Sequence, residues 1–151
     1  MGPIVQHGSQ AVGPAAMING VDALETVLAA LNPRLDSTTY VFAVVAGGLS
    51  VPSETVALIE EMEGRTIVVP EQVAVQKGLL RSGPMRRITL EVQTPLDMVG
   101  LTACVSTALA QHGISANIVA GFYHDHVFVV AQDADKAMRL LRDLQSRATA
   151  E

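Results

Sequence analysis

The stretch "RRITLEVQTPLDMVGLTACVSTALAQHGISANIVAGFYHDHVFVV", Arg86 to Val130, changes its apolar period twice. At its start Ile88, Leu90 and Val92 alternate with Arg87, Thr89 and Glu91, the period-two mark of a strand covered on one side. Met98, Leu101, Val105, Leu109 and His112 then trace one helical stripe. Gly113 followed by Ile114 matches a glycine stop with its apolar contact. "NIVAGF" and "HVFVV" return to strand character, and the residues between them sit where a hairpin turns. Beyond the stretch, Asp133 starts a helix with Ala137, Leu141 and Leu144 inward and Arg139, Arg142 and Asp143 outward. The order from Met85 to Arg147 is therefore β-α-β-β-α. That order predicts an α+β, ferredoxin-like unit, a largely antiparallel sheet with both helices on one face.

Upstream the same logic is less regular. Val21, Leu24, Leu28 and Leu31 share a helical face that Asn32-Pro33 ends, and "TYVFAVV", Thr39 to Val45, reads as a largely buried strand. Ser53 is placed as the cap of a helix with Val56, Ile59 and Met62 inward, closed by Gly64. "TIVVP" follows as a strand, and Pro70 opens a helix running to about Gly78. This β-α-β-α order is close to the second unit with a strand lost, so the chain reads as an imperfect tandem repeat. Gly83-Pro84 breaks it between two periodic regions. The expected organisation is a flexible tail over 1–20, a first half over 21–82, a second over 83–147 and a short tail over 148–151.

Composition narrows the function. With 49% hydrophobic against 17% charged residues in 151, the chain can bury a core, and one compact domain or two small halves is the reasonable size class. A formal net charge of -5 gives no electrostatic reason to expect nucleic acid or an anionic membrane as partner. Cys104 is the single cysteine, so no intramolecular disulfide forms and a reducing compartment is expected. In its helical run a lone cysteine behaves as a small buried hydrophobe. No apolar stretch reaches about 18 residues and no basic region opens a secretory signal, so the expected location is the cytoplasm.

"LDMVGLTACVSTALAQHGISANIVAGFYHDHVFV", Leu96 to Val129, resembles the ACT domain, a small regulatory fold that binds amino acids. More closely, the chain resembles small two-ACT proteins related to the arginine-sensing Castor proteins of animals. "LNP", "LD", "YVF" and "EEMEGRTIVVP" carry that resemblance in the first half, and "RRITLEV", "VGLTA" and "YHDH" in the second. Coverage runs from about Leu24 to Leu144. Val130 departs from it, standing where the family more often has proline.

The resemblance implies a pocket between the first β-to-α turn and the hairpin strands, often paired across two ACT units. The chemistry agrees, because a free amino acid needs an anion site and a cation site facing each other. "PLDMVGLTA" offers a helix N-terminus whose amides suit a carboxylate, with Gly100 leaving the backbone approachable. An ionised Asp125 suits the ammonium. The candidate ligand residues are Asp97, Met98, Val99 and Gly100 on one wall and Gly121, Phe122, Tyr123 and Asp125 on the other. Three of them have a purely structural alternative: Asp97 as an N-cap, Gly100 as a packing glycine, Asp125 as a support of the turn.

His124 and His126, two residues apart, point the same way on a strand and can chelate a metal, but structural and catalytic sites want three or four protein ligands. A catalytic reading pairs Asp125 with His126 and takes Ser106 or Thr107 as nucleophile. Neither a nucleophile elbow, a phosphate loop, a dinucleotide fingerprint nor a paired-histidine zinc motif is present in the chain. The expectation is a non-enzymatic amino-acid sensor without cofactor. It forms a homodimer because open sheet edges call for cover, and it reports to another protein. The rivals are an ACT-like interaction module without ligand and a metal-binding protein built on the two histidines.

Overall fold

A computed structural model describes residues 20–150. The expected tail over residues 1–19 lies outside the described residues, as does Glu151. The elements, in chain order, are α1 (Gly20–Ala29), β1 (Pro33–Val45), β2 (Ala57–Glu61), β3 (Gly64–Pro70), α2 (Glu71–Gln76), β4 (Met85–Leu90), α3 (Leu101–Ala110), β5 (Ala116–Ala120), β6 (Asp125–Val130) and α4 (Ala134–Ala150). A single turn of 3-10 helix, Ala131–Asp133, leads into α4. All strands join one antiparallel sheet in the order β2-β3-β1-β4-β6-β5.

The centre of that sheet interlocks the two halves. β1 uses Tyr40 to Val45 to pair with β3 of its own half, and Pro33 to Tyr40 to pair with β4 of the other. β4 in turn pairs with β6. The two halves thus join edge to edge through their first strands. The chain gets a Pro into β1 by placing it first, where no ladder donor is needed. A bulge between Leu35 and Thr39 then re-aims β1 toward β3. Asp36 organises the bulge: its carboxylate accepts from Thr38 N–H at 2.9 Å, the Tyr40 hydroxyl at 3.0 Å and Arg87 Nη2 at 2.5 Å. Arg86 donates to the Asp36 carbonyl oxygen.

Helices cover one face. The larger core joins Ile88, Leu90, Val127 and Val129 from the sheet with Leu101, Val105 and Leu109 of α3 and Ala137, Met138 and Leu141 of α4. Of the stripe that predicted α3, Leu101, Val105 and Leu109 form its buried face, while Met98 precedes the helix and His112 lies exposed beyond its end; Ile114 N–H donates to the Leu109 carbonyl behind Gly113, whose φ of +73° suits the glycine stop. A smaller core under α2 gathers Val41, Ala43, Val45, Ile67, Val69 and Ala74. On the opposite face a third cluster, Tyr40, Val68 and Phe128 with Phe42, Ala57, Met85 and Val119, contains strand and no helix residues.

Three expectations change. The helix placed from Ser53 to Gly64 is instead a turn and a hairpin: Ala57–Glu61 is β2, and Met62-Glu63 is the two-residue turn between paired Glu61 and Gly64. Met62, assigned inward, is 99% exposed. The spacing of Val56, Ile59 and Met62 suits a helix, but the core below is already closed by Val51 and α2, so no helix is needed to bury it. α1 reaches across to the second half's core, where Leu28 packs, and Gln145 of α4 donates to the Ala29 carbonyl. The second-half helix expected to end by Arg147 continues to Ala150. Finally, β1 begins at Pro33 rather than Thr39.

Candidate functional site

Between β4 and α3 the chain makes a turn, Met98 N–H donating to the Pro95 carbonyl at 3.1 Å, and enters α3 through Gly100. Gly100 has φ +107°, a conformation that side chains resist. A Cβ there would come within 2.8 Å of Leu24 Cδ2 on α1. The space beside this glycine is thus filled by packing rather than left open for a ligand. Gly100 is itself the N-cap and no side chain caps the helix, so Asp97, exposed in the loop, does not act as one. The first-turn amides of α3 keep the partial positive charge of an uncapped helix start.

Facing that helix start is the β5–β6 hairpin. Gly121 N–H donates to the His124 carbonyl at 2.9 Å, and a Cβ on Gly121 would press on that same oxygen. Asp125 opens β6 opposite Ala120 and Leu90, on the helix-covered side of the sheet. Its carboxylate makes no hydrogen bond or ion pair with any described residue, so it does not hold the turn by a side-chain bond. Burial raises its pKa above the ordinary carboxylate value, and neighbouring His126 pulls it partly back.

Asp125 and Ala120 line a cleft of about 60 Å³ with Met98, Leu101 and Thr102 at the α3 start and Thr94, Pro95 and Leu96 of the loop. An acid and an uncapped helix start thus share one small space. Thr94, Pro95 and Leu96 are also the wall of a more open groove of about 420 Å³, completed by Gln93, Phe122 and Tyr123. Phe122 and Tyr123 meet edge to face with centroids 5.0 Å apart and are largely exposed.

Of the residues expected from sequence, the structure brings Met98 and Asp125 to the cleft and Phe122 and Tyr123 to the groove beside it. Asp97 and Val99 line neither, Gly100 faces Leu24, and Gly121 serves the turn through its backbone. Leu101, Thr102, Ala120 and the Thr94 to Leu96 wall were missed. Ala120 was within reach of sequence reasoning, since a tight hairpin sets it across from Asp125.

The histidines lie apart from this chemistry. His126 Nδ1 is 3.0 Å from Thr89 Oγ1, and His124 Nδ1 is 3.4 Å from the Val92 carbonyl oxygen. Burial, then Arg87 and His124, lower the pKa of His126. Among the described residues no group of three or more His, Cys, Asp or Glu converges on a metal position, so the metal reading gains no ligand set. Asp125 and His126, consecutive in β6, face opposite sides of the sheet and form no dyad. Ser106 Oγ is engaged with the Thr102 carbonyl of its own helix at 2.7 Å.

Comparison with known proteins gives two family matches in tandem, each to the ACT domain, over residues 19–86 and 84–143. A crystal structure from Vibrio cholerae, described as a protein of unknown function and possible transport protein, is 42% identical. It covers 83% of this chain and 98% of its own, with a TM-score of 0.74. A protein from Agrobacterium tumefaciens is 18% identical over 75% of this chain and 87% of its own, at 0.62. The ligand-free regulatory subunit of aspartate kinase from Thermus thermophilus is 14% identical over 76% and 97%, at 0.54. These last two share the fold. A search of curated proteins finds no match. The chain belongs to the ACT domain family and carries two of its units in tandem.

Proposed function

We propose that this protein is a non-enzymatic regulatory module that binds a free amino acid through its second ACT unit, acts as a homodimer in the cytoplasm and reports amino-acid level to another protein. The observation that carries the reading is the shared cleft, with Asp125 unpaired on one side and the uncapped start of α3 on the other. A zwitterion placed there meets amides with its carboxylate and Asp125 with its ammonium. ACT domains are regulatory modules that typically bind small molecules, which supports the class of function.

The cleft of about 60 Å³ is too small for an amino acid with a side chain. Binding therefore requires the Thr94 to Leu96 wall to shift, which joins the cleft to the groove and lays the ligand side chain beside Phe122 and Tyr123. Such a shift is the coupling step, because ligand binds one loop position better than the other. The resemblance to arginine sensors fits this arrangement, since exposed aromatic faces attract a guanidinium. Among the described residues no helix is long and apolar enough to cross a membrane.

Calorimetric titration with the twenty amino acids tests the proposal, arginine first. Heat from one or a few of them, lost in Asp125→Ala, supports it. Flat traces for all, with no copurified ligand, leave the second reading, an interaction module without ligand, which the closed state of the cleft favours.

A further inference from the structure

We infer that Gln93 to Val99 works as a strap over the candidate cleft, pinned at Val92 by the ring of His124 and at Gly100 by Leu24. His124 is the positioning residue that lets the strap move without loosening the sheet. This deepens the preceding proposal and rests on its requirement that the Thr94 to Leu96 wall shift. The bonding pattern marks the two ends. Before the strap, Glu91 N–H donates to the Asn32 carbonyl at 3.3 Å, and Val92 packs its side chain against the larger core. After it, Cys104 N–H donates to the Gly100 carbonyl at 2.9 Å, and Leu24 fills the space that a side chain on Gly100 would need. Between these points the chain makes one local turn, Met98 N–H to the Pro95 carbonyl. Among the described residues Gln93 to Val99 make no hydrogen bond outside that turn. A segment held so lightly between firm ends belongs to the low-stability part of a fold.

His124 reaches the first pin from the hairpin. Its carbonyl accepts from Gly121 N–H at 2.9 Å, which closes the turn, and its ring Nδ1 lies 3.4 Å from the Val92 carbonyl oxygen. A carbonyl only accepts, so Nδ1 carries the proton of this bond. No other described group donates to the Val92 oxygen. The ring therefore ties the root of the strap to the root of the Phe122-Tyr123 tip, and the two sides of the groove keep their spacing when the strap moves. His126 has its own partner in Thr89 and takes no part.

The exposed side chains show what the movement accomplishes. Leu96, on the strap, is 69% exposed, and Phe122 and Tyr123, which share the groove with it, are 74% and 62% exposed. With a ligand in the cleft, Leu96 closes on the ligand side chain from one side and the aromatic pair from the other. Apolar surface leaves water on all three, and that burial offsets the cost of moving the turn. The strap thus selects amino acids whose side chains carry a long or apolar stem, arginine among them. Glycine, with no stem to cover, gains nothing from closure.

An endoprotease that cuts before aspartate tests the strap on the full chain, with the Leu96-Asp97 cut read by mass. Cleavage follows the open population, because the protease needs the chain drawn out on both sides of the cut. In the parent this cut should precede the one at Asp125 in β6 and stay flat up to about 1 M urea, as local opening exposes little surface. His124→Ala should speed it about fivefold, the size of one net hydrogen bond. His124→Asn, whose amide nitrogen stands where Nδ1 does, should stay near the parent. A parent rate that climbs with urea overturns the strap. Equal rates in His124→Ala and the parent, or an Asn variant as fast as the Ala variant, overturn the pin. Calorimetric titration reads the cover: Leu96→Ala should weaken arginine binding at least about fivefold, and glycine should give no heat. Unchanged arginine affinity in Leu96→Ala, or glycine binding as tightly as arginine, overturns the cover. Flat traces for every amino acid in the parent defeat the preceding proposal, and cleavage still decides the strap.

Discussion

Replacing Asp36 by Asn removes one charge while keeping the shape of the side chain and its acceptor for Thr38. Burial alone would raise the pKa of Asp36. The Thr38 N–H, Arg87 and the Tyr40 hydroxyl outweigh it and hold the carboxyl at about 2, down from an ordinary 3.8. A shift of that size corresponds to about 2 kcal/mol of folding stability. The side chain is only 17% exposed, so solvent screening takes little from that value. The sign follows from linkage. A depressed folded pKa gives stability that is complete above the unfolded pKa, near 4, and disappears as pH falls toward 2. Asp36→Asn is therefore expected to be about 2 kcal/mol less stable than the parent at pH 7, a loss of about 4–8 °C in Tm. The two proteins should converge as pH drops from 4 to 2. Urea denaturation at pH 7, 5, 3.5 and 2.5 reads this directly. A difference that is absent at pH 7, or that stays constant down to pH 2.5, refutes the reasoning.

Further outcomes are expected at Asp125, Gly100 and Leu109. Asp125→Asn should melt no earlier than the parent at pH 7, because burial disfavours the charged carboxylate, and that penalty in the parent should fade as pH drops through its raised pKa. The same variant should lose all amino-acid-induced thermal stabilisation, and earlier melting without ligand would show that the acid has a structural task. Gly100→Ala combines a φ of +107° with a 2.8 Å approach to Leu24 and should cost about 1–3 kcal/mol by urea denaturation. Leu24→Ala in the same chain should recover the steric part and leave the backbone part, so full recovery would contradict the role of φ. Leu109→Ala empties a fully buried position of α3 and should cost about 2–5 kcal/mol by the same measurement; a loss below about 1 kcal/mol would contradict its place in the core.

The second unit was legible because its periods are clean. Ile88 and Leu90 alternate out of a charged strand, and the α3 stripe ends on a glycine with an apolar residue behind it, so local pattern and tertiary burial agree. β2 was misread because its apolar residues fit a helix period as well as an exposed hairpin strand, and only the cover over β1 and β3 decides between them. The joining of the two first strands had no local signal at all: Pro33 to Leu35 finds its partner in Ile88 to Leu90, a pairing that composition cannot encode. At the site, the opposition of Asp125 and the α3 start was visible from the chemistry an amino acid demands. The packing alternative for Gly100 was legible but its neighbour was not, since Leu24, which fills the place of its missing side chain, comes from a helix assigned to the other half.

The packing of α1 on α4 has a consequence for how the molecule is made. On a ribosome the first helix emerges early, but the groove that receives Leu28 is completed only by the last one, which carries the Gln145 bond to Ala29. β1 likewise waits for β4 before its second edge is filled. The larger core cannot close before α4 is made, whereas the smaller core under α2 draws only on residues before β4. A nascent chain stalled before α4 presents bare strand and helix surfaces to whatever chaperone is at hand.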